Sequence, residues 1–106
     1  FLVGTLGLDK EPLPSKFKVL GNYPNPFNPS TKINFIVNQT SEITSSVFSL
    51  NGELVHQSKS NVLQPGYQNM VWDGKDKLNN KVPSGVYIYS IQSGEHSEFK
   101  KMTLLK

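Results

Sequence analysis

The chain of 106 residues contains no cysteine and no arginine. Without cysteine there is no disulfide, no thiol nucleophile and no thiolate metal site. The fold must therefore rest on packing, which is within reach of a domain this size, since it buries roughly two-thirds of its unfolded surface. Without arginine, all eleven basic residues are lysines, in a chain of net charge +3. The guanidinium fork that reads phosphate and guanine best is missing. The lysines are scattered, apart from Lys100-Lys101 and the loop trio Lys75, Lys77 and Lys81, so nucleic acid is not an expected partner. No apolar run approaches the roughly 20 residues that cross a bilayer, so no transmembrane segment is expected, and no N-terminal signal peptide is visible. The only histidines, His56 and His96, stand in separate segments. A nucleophile elbow, a His-Glu-x-x-His pair and a phosphate-binding glycine loop are all absent. The chain reads as non-enzymatic and without a cofactor.

Acidic residues are few. Asp73 and Asp76 share one loop, and a glycosidase pair would have to flank a substrate cleft at fixed separation. Nothing in the sequence suggests such a cleft, and three lysines crowd the two carboxylates. Asp73, Asp76 and Asn79 could supply oxygen ligands to calcium, but their spacing does not fit an EF-hand loop. The simpler reading makes Asp73-Gly74 a tight turn whose carboxylate bonds its own backbone.

What is present is turn chemistry between short apolar runs. Eight glycines and seven prolines fall largely between those runs. Tyr23-Pro24-Asn25-Pro26-Phe27-Asn28-Pro29-Ser30-Thr31 can be neither helix nor central strand, because proline fixes φ and lacks the ladder donor. It is expected to be a stiff lead-in to a β domain. Phe17–Leu20 reads as a short first strand. In Lys32–Asn38, Ile33, Phe35 and Val37 share one face, a period-two pattern with Ile36 the exception. Ile43–Leu50 and Glu53–Ser58 are joined by Asn51-Gly52, the strongest hairpin signal, which predicts a type I′ turn. In that pair, Leu50, Phe48 and Val55 oppose Val47, Ile43 and Leu54, and the pattern does not choose the buried side. Gln68–Trp72 places Met70 and Trp72 toward the core. Val86–Ser93 is apolar on both faces and reads as central. Glu98–Leu105 closes the chain.

About seven antiparallel strands and no helical period predict an all-β, immunoglobulin-like two-sheet sandwich. Tyr87 would sit at a corner between the sheets. Trp72 would plug the core, its indole N–H needing a partner. Residues 1–14 read as a linker or the tail of a preceding domain, and residues 15–106 as the domain itself. Because the chain opens on Phe1 and not Met, it is expected to be a piece of something longer.

Five segments, in order, carry a resemblance to a known family. They are Asn22 to Thr31, Leu50-Asn51-Gly52-Glu53-Leu54-Val55, Trp72-Asp73-Gly74-Lys75-Asp76, Val82-Pro83-Ser84-Gly85-Val86-Tyr87, and Lys100-Lys101-Met102 through Lys106. Over about residues 15–106 the chain resembles the type A C-terminal sorting domain of proteins exported by the type IX secretion system of Bacteroidetes and related bacteria. The proline block and the terminal lysine segment are the specific parts. The stretch from Trp72 to Tyr87 is also similar to the immunoglobulin-like domain of flagellar hook-capping proteins. Ser45, where the family usually has an apolar residue, and Ser49, where it often has Asp or Asn, depart from the pattern.

The resemblance implies a non-catalytic module that carries an upstream cargo domain through the periplasm to the cell surface or beyond. Its implied partners are outer-membrane components of the translocon and a sortase-like peptidase. The implied recognition residues are Pro83, Gly85 and Tyr87 in a Pro-x-Gly-x-Tyr element, and Lys100, Lys101 and Lys106 at the end. Independently of the family, a lysine-bearing last strand is a reasonable docking edge, since a partner can add a strand there while lysines deter unwanted pairing. The module is expected to be a monomer. An accessory carbohydrate- or surface-binding domain of a secreted hydrolase is the alternative, resting on Tyr23, Tyr67, Tyr87, Tyr89, Trp72 and Phe27. A structural spacer is a third reading.

Overall fold

A computed structural model describes residues 17–62 and 64–106. The linker or tail expected over residues 1–14 lies outside the described residues. Seven strands follow one another: β1 (Lys18–Tyr23), β2 (Thr31–Val37), β3 (Ser41–Phe48), β4 (Leu54–Val62), β5 (Gly66–Trp72), β6 (Gly85–Ser93) and β7 (His96–Leu104). They form a three-stranded sheet in the order β1-β2-β5 and a four-stranded sheet in the order β4-β3-β6-β7. Every pairing is antiparallel. This is the all-β, immunoglobulin-like sandwich that the sequence predicts.

Alternation decides what each sheet buries. Ile33, Phe35 and Val37 of β2, Ile43 and Val47 of β3, Tyr87, Tyr89 and Ile91 of β6, and Met102 and Leu104 of β7 form one core with Val19, Phe27 and Trp72. Each large side chain so buried contributes about 1.5–3 kcal/mol. The most β-prone stretch does become an interior strand, since β6 lies between β3 and β7. Ser45 also turns inward and is buried.

Three local expectations change. The first strand runs on to Tyr23, because a bulge between Val19 and Gly21 lets it stay paired with β2. A second bulge settles the undecided hairpin. Phe48 pairs with Leu54 while Val47 pairs with His56, which leaves Val55 as the extra residue. Val55 thereby packs against the core, and Leu54 is exposed. A one-residue insertion flips side chains between faces, and the simple alternation could not anticipate it.

The turn at Asn51-Gly52 is not type I′ either. Only Gly52 has positive φ there, at 91°. The Gly52 N–H donates to the Ser49 carbonyl at 3.0 Å, and the Ser49 N–H to the Glu53 carbonyl at 2.9 Å. This is a type I turn closed by a left-handed residue, the next most common hairpin solution. The Glu53 N–H also donates to Ser49 Oγ, so Ser49 performs the capping that Asp or Asn would.

The same turn recurs between β5 and β6. The Asp76 N–H donates to the Asn80 carbonyl at 2.8 Å and the Asn79 N–H to the Asp76 carbonyl at 2.9 Å. Asn79, at φ 69°, takes the left-handed place that Gly52 holds in the first turn, as asparagine can. Lys75 and Lys81 bridge directly across this small hairpin, and the Val82 N–H donates to the Gly74 carbonyl at 3.0 Å.

Candidate functional site

The segments singled out in the sequence meet at one end of the sandwich. Phe27 is the apolar residue of a block otherwise made of proline, asparagine and hydroxyl residues after Tyr23. It buries its ring to 2% exposure against Trp72, edge to face at 5.7 Å between centroids. Trp72 in turn meets Tyr87 edge to face at 5.5 Å. Such aromatic pairs contribute about 0.5–1.5 kcal/mol beyond the area they bury. The indole N–H of Trp72 donates to the Lys75 carbonyl at 2.9 Å. The Tyr87 hydroxyl donates to the Pro83 carbonyl at 2.6 Å. Burial raises the phenol pKa of Tyr87.

Backbone bonds then lay the proline block along the last strand. The Phe27 N–H donates to the Thr103 carbonyl and the Leu105 N–H to the Phe27 carbonyl, both at 2.9 Å. The Thr103 N–H donates to Asn25 Oδ1 at 3.0 Å. The outer edge of β7 is thus occupied over Thr103–Leu105. The block itself is braced by the Thr31 hydroxyl, which donates to the Pro24 carbonyl at 2.8 Å, and by Asn22 Nδ2, which donates to Thr31 Oγ1. Further along β7, Glu98 Oε1 accepts from the Val19 N–H at 2.7 Å and ties the last strand to the first. At the other edge of the same sheet, the Lys77 N–H donates to the carbonyl of the bulged Val55 at 2.9 Å.

Pro83, Gly85 and Tyr87 come together as a structural corner, with Tyr87 buried and its hydroxyl engaged. A Cβ at Gly85 would meet nothing within 4 Å. The lysines do not come together. Lys100 and Lys101 alternate on β7 and pair with Tyr89 and Ile88, so their side chains leave on opposite faces. Lys106 lies elsewhere, in a cleft of about 570 Å³ with Lys75, Lys81, Asp73, Gly74, Asn28, Pro29 and Leu104. Gly74 closes one wall of that cleft. At φ 77° and with Pro29 O only 2.9 Å from where a Cβ would stand, the position admits glycine alone.

Of the three residues of the calcium alternative, Asp76 and Asn79 share one turn and Asp73 stands apart from them. Asp73 lines this cleft, whereas Asp76 lines a separate one with Glu53 and Lys77. Asp76 Oδ1 accepts the N–H groups of Leu78 and Asn80, both at 2.9 Å. The carboxylate that bonds its own backbone is therefore Asp76 and not Asp73, which corrects the turn reading. Among the described residues no group of three or more His, Cys, Asp or Glu could hold a metal ion.

Sequence reasoning missed Asn25 and Phe27 as the contacts to the last strand. The signal was Phe27 itself, a lone aromatic with no strand of its own. It grouped Lys75, Lys77 and Lys81 as a trio, whereas Lys77 lies within the turn and lines the other cleft, apart from Lys75 and Lys81. Among the described residues, the buried Tyr89 OH and His56 Nδ1 lack a partner. Burial pushes the Tyr89 phenol up to about 12.

Solved structures share this frame. The chain is similar to dimeric latent PorU from Porphyromonas gingivalis, with a TM-score of 0.68 and 19% identity, covering 94% of this chain and 10% of that one. It is similar to PorZ, described as an essential bacterial surface component of the type-IX secretion system of the same organism, with a TM-score of 0.60 and 20% identity, covering 83% and 11%. It is also similar to FlgD from Xanthomonas campestris, solved for its hook capping in flagellar assembly, with a TM-score of 0.60 and 18% identity, covering 86% and 63%. At these identities the likeness shows the fold, and the chain spans about a tenth of the length of PorU. No curated protein sequence matches the chain. The family model of the FlgD Ig-like domain matches residues 22–97, from within β1 to the start of β7. This chain belongs to the FlgD Ig-like domain family.

Proposed function

We propose that the domain is a non-catalytic export and sorting module, read by the type IX secretion translocon and carrying a cargo domain upstream. The observation that carries this reading is the bonding of the proline block to the last strand through Phe27, Thr103 and Leu105. The two segments most specific to the sorting-domain resemblance form one surface unit. The likeness of fold to PorU and PorZ supports the reading. The partners would be outer-membrane translocon components and a sortase-like peptidase. The route would lead through the periplasm to the cell surface or the medium, with the domain acting as a monomer. Lys100, Lys101 and Lys106 would make the charged contacts, while Pro83, Gly85 and Tyr87 hold the corner that positions β6 and, through it, β7.

The test fuses residues 15–106 to a secreted reporter in a bacterium that has this system. Deleting residues 100–106 would not discriminate, because Met102 and Leu104 belong to the core. The triple variant Lys100→Gln/Lys101→Gln/Lys106→Gln keeps the core and removes the charge. Loss of most surface display is expected, with an unchanged unfolding midpoint. Display equal to the parent fusion would defeat the reading.

One observation favours a second reading. Phe27, Trp72, Tyr87 and Tyr89 are buried, but Tyr23 and Tyr67 are 78% and 75% exposed. Both stand on the outer face of the three-stranded sheet, in the rows Tyr23–Lys32 and Ile36–Tyr67, with Gly21, Asn34 and Asn69 in the row between. Aromatic faces flanking amides suit a sugar chain. Selective binding on a glycan array that Tyr67→Ala abolishes would establish it, and a blank array would remove it.

A further inference from the structure

We infer that the cleft between the proline block and the Gly74–Val82 hairpin is a binding site for a phosphate group. The site does not rest on the export role, although it shares Lys106 with it. Its walls are Asn28 and Pro29 on one side and Asp73, Gly74, Lys75 and Lys81 on the other, with Leu104 and Lys106 completing it, in about 570 Å³. Three lysines and one aspartate are among the residues that line it. Among the described residues, none of the three lysines has an ion-pair partner.

The arrangement of two of them is the stronger argument. Lys75 and Lys81 are directly opposite in an antiparallel bridge. Side chains so placed start from Cβ atoms about 5 Å apart on the same face. Both line the same cleft. Like charges directly opposite each other destabilise a β pair, so this hairpin sets two like charges side by side at the surface, Lys75 half-buried and Lys81 exposed. A doubly charged oxyanion between the two ammonium groups converts that repulsion into charge-assisted hydrogen bonds. Lys106, from the segment after β7, reaches the same cleft and supplies a third donor group. Lysine binds phosphate as a point charge and needs no planar fork. A site built without arginine suits a single phosphoryl group better than a planar carboxylate.

The close wall at Gly74 adds to this. Pro29 O lies where a side chain would project, so the proline block and the hairpin are held in fixed apposition. The cleft is formed by backbone contact and does not wait for a ligand to assemble it.

The phosphate could be free, or the headgroup of a phospholipid, and two probes separate them. The 106-residue chain, labelled with ¹⁵N, is titrated with inorganic phosphate at low ionic strength, and amide shifts are followed. Saturable shifts are expected at Gly74, Lys75, Lys81 and Val82, with binding that weakens as salt is added. In parallel, co-sedimentation is measured with phosphatidic acid vesicles and with phosphatidylcholine vesicles. Retention on the first alone assigns a headgroup, and shifts without retention assign a soluble phosphate. The absence of both shifts and retention overturns the proposal.

Two variants keep folding out of the answer. Lys75→Gln/Lys81→Gln should weaken phosphate binding about tenfold or more, as expected for two lost charge-assisted bonds. Lys75→Glu replaces the like-charge pair by an opposite pair, so Tm should rise while binding is abolished. Lys18→Gln/Lys32→Gln, on the outer face of the other sheet, should leave binding unchanged. Equal weakening by that control pair would mean diffuse surface charge, and a fall in Tm for Lys75→Glu would remove the repulsion on which the site rests. Either result defeats the proposal.

Discussion

The two ends of the sandwich are built differently. At one end, Trp72 is flanked by Phe27 and Tyr87, and side chains bond to backbone at Lys75, Pro83 and Thr103. Both edges of the four-stranded sheet are covered there, β7 by Asn25 and Phe27 and β4 by the Lys77 N–H. At the other end, Phe17 and the tight turns around Gln39 and Gly94 border a polar cleft of about 390 Å³ with Asn38, Ser41, Ser93, Glu95 and His96. That end has an aromatic pair, Phe17 with Phe35 at 6.4 Å, but exposed turns form its rim. The contrast teaches where rigidity is concentrated. It lies where irregular backbone has to be held in place, because prolines cannot share in a ladder and must be fixed by side chains.

The largest effect expected from breaking this contrast comes from Trp72→Ala. It removes the central ring and leaves Phe27 and Tyr87 facing a void, at a cost of about 3–5 kcal/mol. Urea denaturation followed by circular dichroism measures it, and a loss under about 1 kcal/mol would mean that the end is not held by its aromatic stack. The next effect sharpens the comparison by testing the middle of the core. The Tyr89 phenol is raised to about 12 by burial, against about 10 in the unfolded chain. Below pH 10 the phenol is neutral in both states, and its contribution is fully present. Between pH 10 and 12 only the unfolded chain ionises, so stability falls with rising pH by up to about 2–3 kcal/mol. Tyr89→Phe should flatten that fall, as read from denaturant midpoints across the range, and an unchanged slope would contradict the assignment. The smallest pair compares the ends directly. Tyr87→Phe removes the bond to Pro83 and should cost about 1 kcal/mol. Gln39→Ala at the other end should change stability by less than about 0.5 kcal/mol. Equal effects in thermal melts would erase the distinction.

How far the sequence discloses this depends on the kind of signal. Regular alternation announced β2, where Ile33, Phe35 and Val37 follow a period of two, and a stretch apolar on both faces announced β6 as an interior strand. Side chains with an obligatory partner were also legible. Trp72 needed an acceptor, and Tyr87 stood where a corner tyrosine belongs. Bulges were not legible, because one extra residue at Val55 obeys no local rule and depends on the partner strand. Docking across the chain was not legible either. Nothing near Phe27 says that it pairs with Thr103 and Leu105. Nor does the loop composition say which of Lys75, Lys77 and Lys81 face the same way, because that depends on a turn closed by Asn79. The cleft, where these non-local features meet, is accordingly the part of the molecule least visible from the sequence.

The strap of Asn25 and Phe27 over Thr103 and Leu105 has a further consequence for how the domain is made. Phe27 and Leu104, bridged in parallel, are joined only after β7 is available. The buried Met102 and Leu104 arrive equally late. Contacts of such long sequence separation slow folding. A polypeptide emerging from a ribosome or a pore cannot close this sandwich until its last strand has cleared. Until then Phe27, Met102 and Leu104 lack the partners that bury them, and completion of the fold reports that β7 has cleared.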